Sequence, residues 1–238
     1  MAASPVPEII AHRGASSDRY ENTLDAFAQA LLEQADGIEL DVHATADGAV
    51  VVHHDPILRI RCKPADLTPP RIAEATLAEL QRLRLADGSR LPTLDDVCAL
   101  VGSRACLYVE IKSPGLEEAV PAVLARHPAV RAAVHSFDHR VPASIARAHP
   151  SIATGVLLSS YLVDPVAPVR AVGARDLWMG EALIDEALVA RLQGAGCRVI
   201  AWTVDDTTRA RALAQMGVDG LCTNRPALVR AAVESRAG

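Results

Sequence analysis

The chain is 238 residues long, 50% hydrophobic and 22% charged, with a formal net charge of −5 and only 3% aromatic residues. Such a length and apolar share bury a substantial core and suit one large α/β domain. The acidic balance and the few aromatic rings exclude a broad basic nucleic-acid surface and a base-stacking platform, whereas one small phosphate needs no more than a cation or two in a cleft.

Short β-branched runs alternate with Ala/Leu-rich stretches of helical period, the pattern of a parallel sheet with crossover helices. In chain order, strands are predicted at 9–12, 37–43, 106–112, 132–136, 154–158, 175–179, 198–204 and 219–223. Helices are predicted over 23–34, 76–83 with 94–101, 116–126, 140–148, 185–194, 207–215 and 226–235; between 163 and 173, Pro165 and Pro168 allow only a short piece. The run Val50-Val51-Val52 follows residue 43 too closely for a parallel crossover. Asp47-Gly48 is a hairpin signal, so 50–54 is predicted to be an antiparallel arm that folds His54 over the mouth, followed by a Pro-containing excursion over 55–75. Eight strand–helix units in this length predict a TIM-type (β/α)8 barrel, with the short hairpin arm and a small insertion after the second strand. A doubly wound open sheet is the competing architecture, but no G-x-G-x-x-G loop opens the first helix.

No linker, charge block or low-complexity tract divides the sequence, so residues 1–238 are expected to form a single domain. The stretch Met1 to Ile10 lacks a basic segment followed by an apolar run, and no apolar run reaches the roughly 18 residues of a membrane span. The five cysteines are odd in number and lack C-x-x-C spacing. They are expected to be reduced packing residues of a cytoplasmic protein without stable membrane insertion; homo-oligomerisation is left open.

Glu39 and Asp41 lie two apart on one strand, so both project from the same face. Ile38, Leu40 and Val42 occupy the other face and need the helix layer, which sends the acids inward. There they repel unless a cation lies between them. Glu110, at the end of the next barrel strand, adds a third hard oxygen ligand, giving an expected Mg2+ or Ca2+ site. His12 ends the first strand beside Arg13, pairing a general acid/base with a phosphate-binding guanidinium; His54, followed by Asp55, is the second proton-transfer candidate. Lys112 shares the face of Glu110 and is expected to reach either the carboxylates or a phosphate. Asn22 is a candidate for a phosphate hydrogen bond, with Asn22 or Thr23 capping the first helix, and Trp202 for an apolar wall. His43 and His135 are read as ordinary hydrogen-bonded packing residues, and His53 as partly exposed.

These residues fall in an ordered set: His12-Arg13-Gly14, Glu21-Asn22-Thr23, Glu39-Leu40-Asp41-Val42, Asp47-Gly48, His54-Asp55, Glu110-Ile111-Lys112, Ser136-Phe137-Asp138, Trp202-Thr203-Val204, Asp219-Gly220 and Thr223-Asn224-Arg225-Pro226. In order and spacing the set resembles the glycerophosphodiester phosphodiesterase family over nearly the whole chain. The resemblance implies metal ligation by Glu39, Asp41 and Glu110, acid/base roles for His12 and His54, and phosphate contacts from Arg13 and Lys112. It also implies hydrolysis of a small-molecule glycerophosphodiester to glycerol 3-phosphate and an alcohol. A lysophospholipase D-like activity and a non-catalytic phosphate-binding barrel are the alternatives. One departure stands out: where the family often continues His-Asp with Leu and an acid-Arg-Thr-Thr run, this chain reads Leu58-Arg59-Ile60-Arg61-Cys62.

Overall fold

The computed structural model describes residues 6–61 and 68–235. Eight parallel strands, β1 (Glu8–His12), β2 (Gly37–Ala44), β4 (Cys106–Ile111), β5 (Arg131–Ser136), β6 (Ala153–Leu158), β7 (Asp176–Gly180), β8 (Arg198–Trp202) and β9 (Gly220–Thr223), run around a barrel. Pairing of β1 with both β9 and β2 closes it, which decides against the open sheet. Between them lie α1 (Leu24–Leu32), α3 (Leu94–Val101), α4 (Ala119–Arg126), α5 (Arg140–Ala148), α6 (Val166–Val172), α7 (Glu186–Gly194) and α8 (Thr207–Met216), with α9 (Pro226–Glu234) at the end. Pro165 caps α6 and Pro168 falls in its first turn, where a missing N–H costs nothing, so the short piece expected there forms.

Alternation along the strands sorts the side chains into two layers. Ile38, Leu40 and Val42 of β2 and Leu107, Val109 and Ile111 of β4 face outward and pack with Phe27, Val97 and Val120 of the helices. Each such fully buried side chain contributes roughly 1.5–3 kcal/mol relative to exposure. The opposite face points into the barrel, where Ile10, Tyr108, Ala133, Leu157, Trp178, Ile200 and Cys222 form an apolar plug. Glu39, Asp41, Glu110 and His135 belong to the same inward set; Glu39 is level with Tyr108, and Asp41, Glu110 and His135 lie one inward step nearer the C-terminal strand ends.

The predicted arm exists as β3 (Val50–Val52), antiparallel to β2 in the register Val42↔Val52, His43↔Val51 and Ala44↔Val50. The turn is held by Thr45, whose hydroxyl donates to Asp47 Oδ1 (2.6 Å), and by Gly48 at φ +80°. The same Asp47 oxygen accepts from Leu77 N, tying the arm to α2 (Leu77–Gln81). Residues 55–61 and 68–91 fold over the arm around a core of their own, with Val51, Leu58, Ile72, Leu80, Leu85 and Leu91 buried together. Cys62, the last residue of the divergent segment, lies outside the described residues; the four described cysteines are free.

Candidate active site

The three acids converge at the C-terminal end of the barrel. Glu39 pairs in register with His12 on one side, and Asp41 with Glu110 on the other. All three acids are buried. Glu39 Oε2 accepts from the backbone N–H of Arg13 (3.1 Å). Asp41 is enclosed by Arg13 Nε at 3.1 Å, Lys112 Nζ at 3.2 Å and the side-chain amide of Asn22, which donates to Oδ2 at 2.8 Å. Lys112 also donates to Glu110 Oε1 (2.7 Å), bridging the two strands as its place on the face of Glu110 predicted. Asn22 sits at φ +56° and its oxygen also accepts from Asp41 N (3.3 Å), so its amide orients Asp41 from both ends. Thr23 is the residue that caps α1, through Ala26 N.

Each histidine of the predicted pair has one ring nitrogen engaged from behind. His12 Nδ1 lies 2.7 Å from Asn224 Oδ1. Asn224 Nδ2 donates to Asp205 Oδ2 (2.6 Å) and Ser16 Oγ donates to the amide oxygen (2.7 Å). This network turns the oxygen toward His12, so Nδ1 must carry the proton and Nε2 keeps its lone pair. Burial, with Arg13 alongside, holds His12 below the ordinary imidazole range. His54 Nδ1 donates to Asp55 Oδ1 (2.7 Å), and Asp55 is held in turn by Arg59 Nε at 2.6 Å. The divergent segment thus supplies the cation that positions the acid partner of His54.

The arm is pinned beneath His54: His53 N donates to Asp41 O, and His43 Nε2 lies 3.0 Å from His54 O. His53 corrects its expectation of partial exposure, for it is only 5% exposed because the residues after the arm fold across it. His12, Arg13, Glu39, His54, Glu110 and Lys112 line one cavity of about 90 Å3, with Trp202 and Phe137 in its wall. The two rings meet edge to face, 5.7 Å between centroids. His54, Glu110, Lys112 and Phe137 also border an outer depression of about 480 Å3, reaching Asp55, Ser113 and Asp138. A wider cavity of about 800 Å3 opens at the other end of the strands, where several of the charges are paired. Arg198 pairs with Glu8, and Arg175 with Asp176. That end of such a barrel serves stability and not chemistry.

Residues 12–228 match the glycerophosphoryl diester phosphodiesterase family. The chain belongs to that family. A glycerophosphodiester phosphodiesterase of Caldanaerobacter subterraneus subsp. tengcongensis is 32% identical over 92% of this chain and 94% of its own length. Among solved structures, an Oleispira antarctica phosphodiesterase in complex with the product sn-glycerol-3-phosphate superposes with a TM-score of 0.87. It is 26% identical and covers 96% of this chain and 97% of its own. A glycerophosphodiester phosphodiesterase from Thermotoga maritima is 28% identical with a TM-score of 0.75, covering 93% and 96%. As a member of the glycerophosphoryl diester phosphodiesterase family the chain is an enzyme, a phosphoric diester hydrolase.

The donor set at the mouth suits a divalent cation. Three buried carboxylates face two cations, Arg13 and Lys112, leaving a negative balance in a place with little water. Asp41 Oδ1 is buried, with the ammonium of Lys112 3.2 Å away. Glu39, Glu110 and His135 present ligand atoms all within 4.8 Å of one another. Without a metal the set resolves its repulsion by taking up protons. Burial, then Asp41 and Glu110, push Glu39 well above its usual value, and burial with Asp41 pushes Glu110 up to about 7. Burial acts on Asp41 in the same direction, but Arg13 and Lys112 outweigh it and hold that carboxyl low.

A sign follows for stability. Between the ordinary value of 4.5 and about 7, the folded metal-free protein binds protons at Glu110 that the unfolded chain has lost. Its stability therefore falls as pH rises through that window, and the penalty is fully present above it. A bound divalent cation removes the penalty, so the rise in Tm on adding one is expected to be larger at pH 8 than at pH 5 by thermal denaturation. Equal gains at both would contradict a cation placed among these acids.

Asn224 and Asp205 were not assigned roles from sequence. Asn224 lies in the closing Thr-Asn-Arg-Pro motif, 212 positions from His12, and only barrel closure brings the two together.

Proposed function

We propose that this enzyme hydrolyses glycerophosphodiesters to glycerol 3-phosphate and an alcohol, using a divalent cation held by Glu39, Asp41 and Glu110. The observation that carries the reading is the pair of imidazoles facing one acid-lined cavity, each with its remote nitrogen fixed by a different kind of partner. A neutral amide behind His12 favours the uncharged ring and a free Nε2, which suits a base. A carboxylate behind His54 fixes the ring by accepting from Nδ1 and offers a counter-charge while Nε2 gives its proton to a leaving oxygen, which suits an acid.

Arg13 and Lys112, both lining the cavity, bind the non-bridging phosphate oxygens and orient the phosphorus for displacement. When bound, the cation neutralises charge on those oxygens. His12 Nε2 accepts the proton of the attacking hydroxyl as the new P–O bond forms. His54 delivers its proton to the departing oxygen as the old bond breaks, and Asp55 retains the hydrogen bond from Nδ1. The attacking hydroxyl is either water or the substrate's own neighbouring glycerol hydroxyl; solvent 18O distribution in the product, or detection of a cyclic phosphate, separates the two. Trp202 and Phe137 offer apolar contact to the glycerol carbons, and the outer depression offers room for the leaving alcohol. No helix among the described residues is long and apolar enough to cross a membrane. The cytoplasmic placement remains the expectation drawn from the sequence.

The test is a panel of glycerophosphodiester headgroups with lysophosphatidylcholine alongside, assayed before chelation, after it and after metal add-back. Hydrolysis of soluble glycerophosphodiesters that chelator abolishes and divalent metal restores is the expected result. Preference for the single-chain lipid would favour the lysophospholipase D alternative, and activity untouched by complete metal removal would overturn the cation assignment.

A further inference from the structure

His135 takes no part in the chemistry above, yet its surroundings are unusual for an imidazole. It stands on β5 directly across from Glu110 in the parallel register and points into the barrel beside it. It is 1% exposed, and its Nδ1 has no hydrogen-bond partner. Every other histidine of the chain has a ring nitrogen within hydrogen-bond distance of a partner. A buried polar atom left unpaired in a native protein calls for an explanation, and an absent ion is one of the standard ones. The sequence-based expectation of an ordinary hydrogen-bonded packing histidine is not met.

The ring is also held in place. It stacks on Trp178 with 4.3 Å between centroids and 15° between planes. That stack needs Gly155, the register partner of His135 on β6. A Cβ there would come within 3.1 Å of the indole and 3.3 Å of His135 Cβ.

We propose that His135 is a nitrogen ligand of the active-site cation, alongside Glu39 and Glu110, and that the site therefore prefers a later first-row transition ion such as Fe2+ or Co2+ over Mg2+ and Ca2+. This rests on the reading that a divalent cation binds among these acids. Mg2+ and Ca2+ take oxygen ligands almost exclusively, whereas imidazole adds affinity for the later ions of the first row. The three ligand atoms, all within 4.8 Å of one another, can share one ion, and all three residues are buried. The carboxylates alone would suit any hard cation; the neutral nitrogen is what discriminates.

Pulsed electron paramagnetic resonance of the purified enzyme loaded with Mn2+ tests this without reference to activity. Wild type is expected to show modulation from a directly bound imidazole nitrogen, changing in frequency when the protein is made with 15N-histidine. His135→Gln should lose it while still binding Mn2+, and His12→Gln should keep it. By competition titration, wild type should prefer Co2+ to Mg2+, and His135→Gln should bind Co2+ at least roughly tenfold more weakly, the cost of losing even an outer-sphere partner, so that the preference narrows. Stoichiometric Mn2+ without nitrogen modulation, or modulation that survives in His135→Gln, overturns the assignment and leaves the cation reading standing. No Mn2+ bound in wild type overturns both. Should His135→Gln fail to fold, the labelled wild type with His12→Gln and His54→Gln, the other imidazoles of the same cavity, decides: modulation retained in both supports His135, and modulation abolished in either rejects it.

Discussion

Alanine at His12 or at His54 lowers kcat by about 10²–10⁴, the usual worth of a positioned proton-transfer group. The two losses should then separate with the leaving group. A p-nitrophenyl phosphodiester releases an anion stable enough to depart unprotonated, so His54→Ala recovers most of its rate on that substrate while His12→Ala does not. The asymmetry follows from the partners, a carboxylate behind one ring and an amide behind the other. Asp55→Asn, which keeps the shape and removes the counter-charge, should move in the same direction as His54→Ala but less far. Steady-state turnover at saturating substrate, with folding checked by circular dichroism, measures all of this. Near-normal kcat in both alanine variants would sink the pairing, and equal recovery of both on the activated ester would reverse or erase the assignment of acid and base.

Trp178→Ala is expected to destabilise the fold by roughly 3–5 kcal/mol, the range for emptying a buried large aromatic site. Trp178 is 1% exposed inside the barrel, meeting Tyr108 edge-on at 5.3 Å and His135 face-on. Its Nε1 has no partner, so substitution also relieves a desolvated donor, which argues for the lower end of that range. Trp178→Phe, which keeps a ring over His135 and deletes only the unpaired N–H and part of the volume, should lose less. Denaturant unfolding with an unchanged m-value reads both. A loss for Trp178→Ala smaller than that for Trp178→Phe would mean the interior is not packed around this indole.

The strands were legible because parallel barrel strands bury both faces and so appear as short apolar runs broken by polar residues only at the mouth. β2 illustrates this: outward Ile38, Leu40 and Val42 left no place for Glu39 and Asp41 but the interior. The arm was legible because Asp-Gly allows a return too short for a crossover. What could not be read was any contact between distant parts of the sequence. The bond from Asn224 to His12 exists only because β9 lies beside β1, and a closing motif does not say which side chain it will meet. The departure at 58–62 gave no sign of what it supplies: Arg59 holds Asp55, a contact that the altered run does not announce. His135 was misjudged for a related reason: sequence shows that a histidine faces inward, but not that its hydrogen-bond partner is missing.

One strand carries an unusual share of the machinery. The same edge of β2 is taken first by β1, up to the pair His12↔Glu39, and then by the arm, where His53 N bonds to Asp41 O. Both imidazoles and the anionic groups are therefore suspended from a single beam. Sliding that beam by one residue would turn its acids outward and unhook both imidazoles in the same event, so damage there should abolish turnover outright instead of eroding it by degrees.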